Sequence, residues 1–103
     1  MKEEEQEKKI DELIEIVCEV LKVDYDDLIS ISKKREHTEA RMIVTDLILD
    51  RFSRYALKRV GIRLGGRTHS TMCNNMRNYR DLYKVDKDFR GKVLNVKHYT
   101  NGI

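Results

Sequence analysis

Residues 61–71 read GIRLGGRTHST and contain residue types that bind phosphate. Gly61, Gly66, Arg67 and Thr68 nearly follow the nucleotide-binding loop pattern G-x-x-x-x-G-K-[ST], with arginine in place of lysine. Such a loop needs a buried strand before it, within a parallel sheet. The preceding RFSRYALKRV has helical spacing instead, and no apolar strand ending in Asp is available to hold magnesium. We therefore expect no nucleotide, no cofactor and no enzymatic activity.

The same residues fit a helix-turn-helix. A short helix over about 56–64 is followed by a glycine turn and a longer helix from about Thr68 to Tyr83. The longer helix opens with the polar run THST, and unpaired N–H groups at a helix start attract phosphate oxygens. The second helix of such a unit lies in the DNA major groove.

The charge distribution also indicates a polyanionic partner. Residues 1–30 hold four Lys/Arg and eleven Asp/Glu, whereas residues 51–80 hold eight Lys/Arg and no acid. This favours nucleic acid, with an acidic membrane surface or an acidic protein as the alternatives. No apolar run approaches the roughly 20 residues of a membrane span. The acidic N-terminal helix is read as a solvated face, with docking of a basic protein as the alternative.

The elements that position these residues are predicted to be helices of one domain. The apolar spacing indicates helices over about 4–22, 24–30, 36–53, 56–64, 68–83 and 86–99. Asp24 is expected to cap the second helix, which buries Leu28 and Ile29. Met72, Met76 and Tyr79 are expected in the core. The predicted fold is all-α, a compact bundle of about six helices, with a charged lead-in over 1–9, the domain over 10–99 and a tail over 100–103.

Four segments carry a family resemblance. GGRTHSTMCNNMRNY resembles the GGRDHTTV signature of the C-terminal DNA-binding domain of DnaA, the bacterial replication initiator. LKRVGIRLGG, KKREHTEARMIVTDLI and IDELIEIVCEVLKVDYDDLIS extend the resemblance over about residues 10–80. It implies a bundle similar to the Trp repressor, which binds double-stranded DNA through the major groove with a basic loop in the adjacent minor groove. The function expected is sequence-selective DNA binding in regulation of replication or transcription; the alternative is a protein-interaction module that keeps this fold without sequence-specific DNA binding.

The resemblance also assigns roles to residues. Base contacts are expected from Arg67, Thr68, His69 and Ser70. Contacts to phosphate or the minor groove are expected from Lys33, Lys34, Arg35, Arg41, Lys58, Arg59, Thr71, Asn74 and Arg77. Asn74 and Arg77 are expected on the same helix face as His69 and Ser70. His69 and Cys73 lie one turn apart but form only half a metal site, so no metal is expected.

Departures from the family pattern limit what is inferred. Thr68 replaces the family's Asp after GGR, and the alignment requires one extra residue within about 44–56. MKEEEQEKK stands where the family's ATPase module would end, so we expect a stand-alone domain and carry over DNA binding but not ATP-driven origin opening. Cys18 and Cys73 are expected as free thiols, in keeping with a cytoplasmic, nucleoid-associated protein.

Overall fold

The computed structural model describes residues 2–103, which fold into six helices without a strand among them. The helices are α1 (Glu3–Leu21), α2 (Tyr25–Leu28), α3 (Arg35–Arg51), α4 (Leu57–Arg63), α5 (His69–Val85) and α6 (Lys87–Tyr99). The predicted all-α architecture is therefore confirmed. Among residues 2–103 we find no helix with the length and hydropathy needed to cross a membrane.

Helix α3 lies at the centre of the bundle and contacts each of the other five helices. Side chains on nearly every face of this helix are buried, polar residues as well as apolar ones. Its fully buried apolar residues are Ala40, Ile43, Val44, Leu47 and Ile48. The predicted end at residue 53 was too late, because Phe52 leaves the helix and turns inward with Tyr55 to fill the core before α4.

The outer helices pack their predicted apolar faces onto α3. Ile10, Leu13 and Val17 of α1 are fully buried, as are Phe89 and Val93 of α6. Burial of such side chains stabilises the fold by roughly 1.5–3 kcal/mol each. Met72 and Tyr79 of α5 are buried as expected, whereas Met76 is only half-buried.

Two local predictions need correction. Asp24 stands at the N-cap of α2, but its side chain makes no capping hydrogen bond, and Ile29 is only half-buried. Asp86 caps α6 by accepting a hydrogen bond from the Phe89 N–H at 3.0 Å, and the helix continues through Gly91.

Candidate nucleic-acid interface

Helices α4 and α5 form the predicted helix-turn-helix, joined by a turn that only glycine permits. Gly65 and Gly66 have φ of 90° and 80°, in the left-handed region that other residues avoid. The Arg67 and Gly66 N–H groups donate back to the Gly61 carbonyl at 2.9 and 3.1 Å, which ends α4. The chain is thus free to start α5 at a sharp angle.

A third glycine allows the two helices to approach closely. A Cβ at Gly61 would lie 2.4 Å from the Arg67 carbonyl oxygen and 3.0 Å from the Met72 side chain. A Cβ at Gly65 would lie 2.0 Å from the Ile29 carbonyl oxygen. Gly61 therefore serves packing of the turn against α5, and Gly65 serves its packing against the segment before α3.

The first turn of α5 is open to solvent. Thr68 is its N-cap, and the Thr68 hydroxyl oxygen accepts a hydrogen bond from the Thr71 N–H at 3.2 Å. The side chains of Thr68, His69, Ser70 and Thr71 are all exposed. The N–H groups of His69 and Ser70 precede the first possible intrahelical acceptor and remain available to an anion.

Further along α5, the predicted residues divide between two faces. Ser70, Asn74 and Arg77 are exposed at spacings of four and three, so they share the outward face. His69 lies about 100° around the helix from Ser70. Its imidazole nitrogens Nδ1 and Nε2 are 3.7 and 3.8 Å from the Cys73 thiol. His69 therefore lies to one side of the face that Ser70, Asn74 and Arg77 share.

The basic loop between α2 and α3 presents two free cations. Lys33 and Lys34 are exposed and make no ion pair within residues 2–103. Arg35 is exposed but paired, because it donates to Glu39 at 3.1 Å and to Asp86 at 2.6 Å. Arg35 thus ties the start of α3 to the start of α6.

Arg41 is buried and holds the loop from beneath, with only 3% of its surface exposed. Its guanidinium donates to four carbonyls of the α2–α3 segment: Leu28 at 2.6 Å, Ser32 at 2.7 Å, Asp27 at 2.9 Å and Ser30 at 3.0 Å. Burial, together with the positive charge of Arg67, lowers the pKa of Arg41. All three guanidinium nitrogens of this side chain therefore donate to backbone carbonyls of the protein.

Arg67 joins the same loop to the helix-turn-helix. Its Nη2 donates to the Ser30 carbonyl at 2.6 Å, and its Nη1 donates to the Leu64 carbonyl. Burial lowers the pKa of Arg67. The Ser30 carbonyl therefore accepts from both Arg41 and Arg67, which ties the α2–α3 loop to the turn before α5.

The basic outer face of α4 is largely neutralised by α1. Arg59 pairs with Glu3 at 3.2 Å and with Glu7 at 2.5 Å, and its guanidinium stacks 4.4 Å from the centre of the Tyr55 ring. Arg63 pairs with Glu7 and, at 2.7 Å, with Asp11. Burial opposes these pairs, yet they raise the pKa of Arg63 and lower that of Glu7.

The residues that remain available for phosphate differ from those expected. Lys58 is exposed on α4 and makes no ion pair within residues 2–103. Arg54 and Arg80, which the residue assignments from the sequence omitted, are exposed and unpaired within the same range. The only sequence feature that points to Arg54 and Arg80 is that both lie in the stretch 51–80, which contains no Asp or Glu. The acidic partners of Arg59 and Arg63 lie some 50 residues away in the chain, beyond the reach of local pattern.

Comparison with known proteins supports the same interpretation of the fold. Residues 10–78 match the family described as the bacterial dnaA protein helix-turn-helix. The chain is 32% identical over 81 residues to the chromosomal replication initiator protein DnaA of Gloeobacter violaceus, a match covering 79% of this chain and 16% of that protein. It is 24% identical over 88 residues to the DnaA of Bacteroides thetaiotaomicron, which covers 85% of this chain and 18% of that protein.

A third relative, the DnaA of a Synechococcus strain, is 27% identical over 83 residues. The match spans 81% of this chain and 18% of that relative, so the chain corresponds to less than a fifth of each of these three proteins. The matched family covers the helix-turn-helix, the basic loop and the central helix described above. The chain therefore belongs to the family of DnaA helix-turn-helix DNA-binding domains.

Proposed function

We propose that this domain binds double-stranded DNA with sequence preference and thereby regulates replication or transcription by occupying a site. The first turn of α5 enters the major groove, where Thr68, His69 and Ser70 face base edges. The α2–α3 loop lies over the neighbouring groove with Lys33 and Lys34. Acting on chromosomal sites, the protein works at the nucleoid.

One observation carries this proposal: two buried or half-buried arginines tie the basic loop to the turn that precedes the open start of α5. Arg41 from α3 and Arg67 from the turn donate to the same Ser30 carbonyl, at 3.0 and 2.6 Å. A surface that holds two lysines beside a helix start with unpaired N–H groups suits phosphates on both sides of a groove.

The proposed roles follow from where the side chains point. Residues free to meet phosphate are Lys33, Lys34, Lys58, Thr71, Asn74 and Arg77, to which we add Arg54 and Arg80. Arg41 and Arg67 act on DNA through the loop they hold. Arg35 and Arg59 act chiefly through their carboxylate partners.

Selection of bound duplexes from a random pool, followed by competition binding, tests the proposal. His69→Ala should lower affinity for the selected duplex toward that for random duplex, because base contacts carry specificity. Lys34→Ala is the matched control and should weaken both duplexes by the same factor. Failure to enrich any sequence, with wild-type protein binding all duplexes equally, would favour the protein-interaction module over a site-specific binder.

A further inference from the structure

The α2–α3 loop carries an isoleucine at its tip that the fold does not use. Ile31 is 95% exposed, the highest value of any large apolar side chain within residues 2–103. Both neighbours, Ser30 and Ser32, are half-buried. The loop therefore presents one apolar side chain to solvent at its apex, two residues before the exposed Lys33 and three before Lys34.

The backbone on both sides of Ile31 is clamped. Arg41 donates to the Ser30 carbonyl at 3.0 Å and to the Ser32 carbonyl at 2.7 Å. The Ser30 hydroxyl oxygen accepts from the Ser32 N–H at 3.1 Å, and the Ser32 hydroxyl is 2.7 Å from His37 Nδ1. Since residues 30 and 32 are both held inward, the side chain between them must project away from the protein.

We propose that Ile31 is an apolar wedge that enters the DNA groove beside the one occupied by α5 and partly unstacks a base step there. This inference rests on the proposed DNA binding. Apolar side chains inserted between base steps open and kink the duplex, and pyrimidine–purine steps yield most easily. Ile31 therefore selects a flexible step without a hydrogen bond to any base.

The surroundings of Ile31 favour DNA over an apolar partner. Lys33 and Lys34 lie two and three residues after it and are unpaired within the described residues, so any partner at this tip must accept two positive charges. The Ile29 carbonyl lies against Gly65 of the helix-turn-helix turn, and the Ser30 carbonyl accepts from Arg67, which places the loop beside the turn that precedes α5. Because the loop is already rigid, little conformational entropy is lost when Ile31 is inserted.

The test uses the selected duplex with 2-aminopurine placed in turn at each step flanking the α5 site. Wild-type protein should raise 2-aminopurine fluorescence at one step and shorten the end-to-end distance measured by energy transfer between duplex ends. Ile31→Ala should abolish both signals and weaken binding about 15- to 60-fold, as expected for loss of two to three buried methyl or methylene groups. The slope of affinity against salt should not change, because no phosphate contact is lost.

Two controls make the outcome specific. Ile62→Ala removes an isoleucine on α4 that is 63% exposed and should leave both signals intact. Ile31→Leu keeps the apolar volume and should retain most of the fluorescence change. Circular dichroism of each variant should match wild type.

Each failure has its own meaning. Selective binding by wild type with no fluorescence change at any step would overturn the wedge and leave the proposed function standing. So would equal affinities of wild type and Ile31→Ala, or self-association that Ile31→Ala abolishes. Absence of duplex binding by the wild-type protein would instead remove the proposed function itself.

Discussion

Thr68 uses its hydroxyl group within α5. The hydroxyl oxygen accepts from the Thr71 N–H at 3.2 Å, and the hydroxyl donates to Thr71 Oγ1 at 3.0 Å. The methyl group and one oxygen lone pair are what remain for DNA. Thr68 can therefore give a base pair only an apolar contact from its methyl group and one weak hydrogen-bond acceptor. The family's Asp offers a second carboxylate oxygen as an acceptor.

Replacing Thr68 by Asp should sharpen the base preference at one base pair. One carboxylate oxygen can cap α5, and the other can accept from cytosine N4, a contact worth roughly 1–3 kcal/mol of discrimination, or about tenfold to a hundredfold. Affinities for duplexes varied at that base pair give the measurement, with Thr68→Asn as a neutral capping control. Unchanged preference in Thr68→Asp would assign Thr68 to capping alone.

Arg41 contributes to binding through the loop in our proposal, and salt dependence distinguishes this role from a phosphate contact. Arg41→Ala leaves four carbonyls without their charged donor and should lower the free energy of unfolding by about 3 kcal/mol in urea titration. DNA affinity should fall on all sequences with an unchanged salt slope. Lys34→Ala is the control: its stability should match wild type and its log–log slope should lessen by about 0.9. A similar loss of slope in Arg41→Ala would show that its guanidinium reaches phosphate.

At the scale of elements, the α4–α5 turn depends on two glycines for different reasons. Gly66 has positive φ and open space where a Cβ would lie, whereas Gly65 has positive φ and the Ile29 carbonyl oxygen in the way. Gly66→Ala should cost about 1–2 kcal/mol of stability, the penalty for a left-handed non-glycine residue.

Gly65→Ala should cost at least about twice as much, because backbone must move to relieve the clash. Urea unfolding of the two variants gives the comparison. The Gly65 variant should also bind DNA more weakly than its remaining folded fraction explains, since the Ile29 segment leads into the basic loop. Equal losses of unfolding free energy in the two variants would mean that the Ile29 segment moves away from residue 65 without an energetic cost.

The contact between α1 and α4 predicts acid sensitivity. Burial raises the pKa of Glu7, but the hydrogen bond and charge of Arg63 outweigh it, so the folded-state pKa lies below the unfolded value. This contribution to stability is complete above the unfolded pKa of about 4.3 and is lost as pH falls through the lower folded value. Melting temperatures between pH 6 and pH 2 should therefore drop below about pH 4.

Glu7→Gln is the matched variant for that pH profile. It should be less stable than wild type at pH 6, and the two melting curves should converge at low pH, where Glu7 is protonated. Asp86, whose pKa is also lowered by its capping bond to the Phe89 N–H and by Arg35, leaves part of the pH dependence in the variant. Parallel profiles would indicate that Glu7 contributes no pH-dependent stability.

For the whole molecule, the separation of charge decides how strongly salt opposes binding. Acids of α1 neutralise Arg59 and Arg63, while seven exposed cations of the α2–α3 loop, the α3–α4 segment, α4 and α5 have no ion-pair partner within residues 2–103: Lys33, Lys34, Arg54, Lys58, Arg77, Arg80 and Lys84. Contact of about five phosphates predicts a log–log slope of affinity against salt near −4.5. The slope is measured by titrating the protein with duplex at several salt concentrations between about 50 and 300 mM.

Lys8→Ala provides a control for that slope, because Lys8 is exposed on α1 among the acids. Its slope should equal that of wild type. Lys58→Ala should lessen the slope by about 0.9. A wild-type affinity that does not respond to salt would contradict the electrostatic part of the proposed interface.

The sequence by itself determined the elements. Six helices, the glycine turn and most of the buried residues follow from apolar spacing and from glycine at left-handed positions, which are local properties of the chain. The polar run Thr68–Thr71 at the start of α5 was equally visible, because the turn that exposes it is adjacent in sequence. Helix ends shifted by a residue or two where inward turns such as Phe52 depend on neighbours from elsewhere.

Only the tertiary structure decided which arginines are free. The sequence alone does not distinguish four arginines from exposed surface cations: Arg41, Arg59, Arg63 and Arg67. Their hydrogen-bond acceptors in the fold are carbonyls and carboxylates that lie from 3 to 56 residues away in the chain. A guanidinium has five donors on a long side chain, so it bonds to whatever acceptors packing places within reach. Spacing along the chain predicts which face of a helix a residue occupies, but the acceptors on the opposing surface belong to other elements.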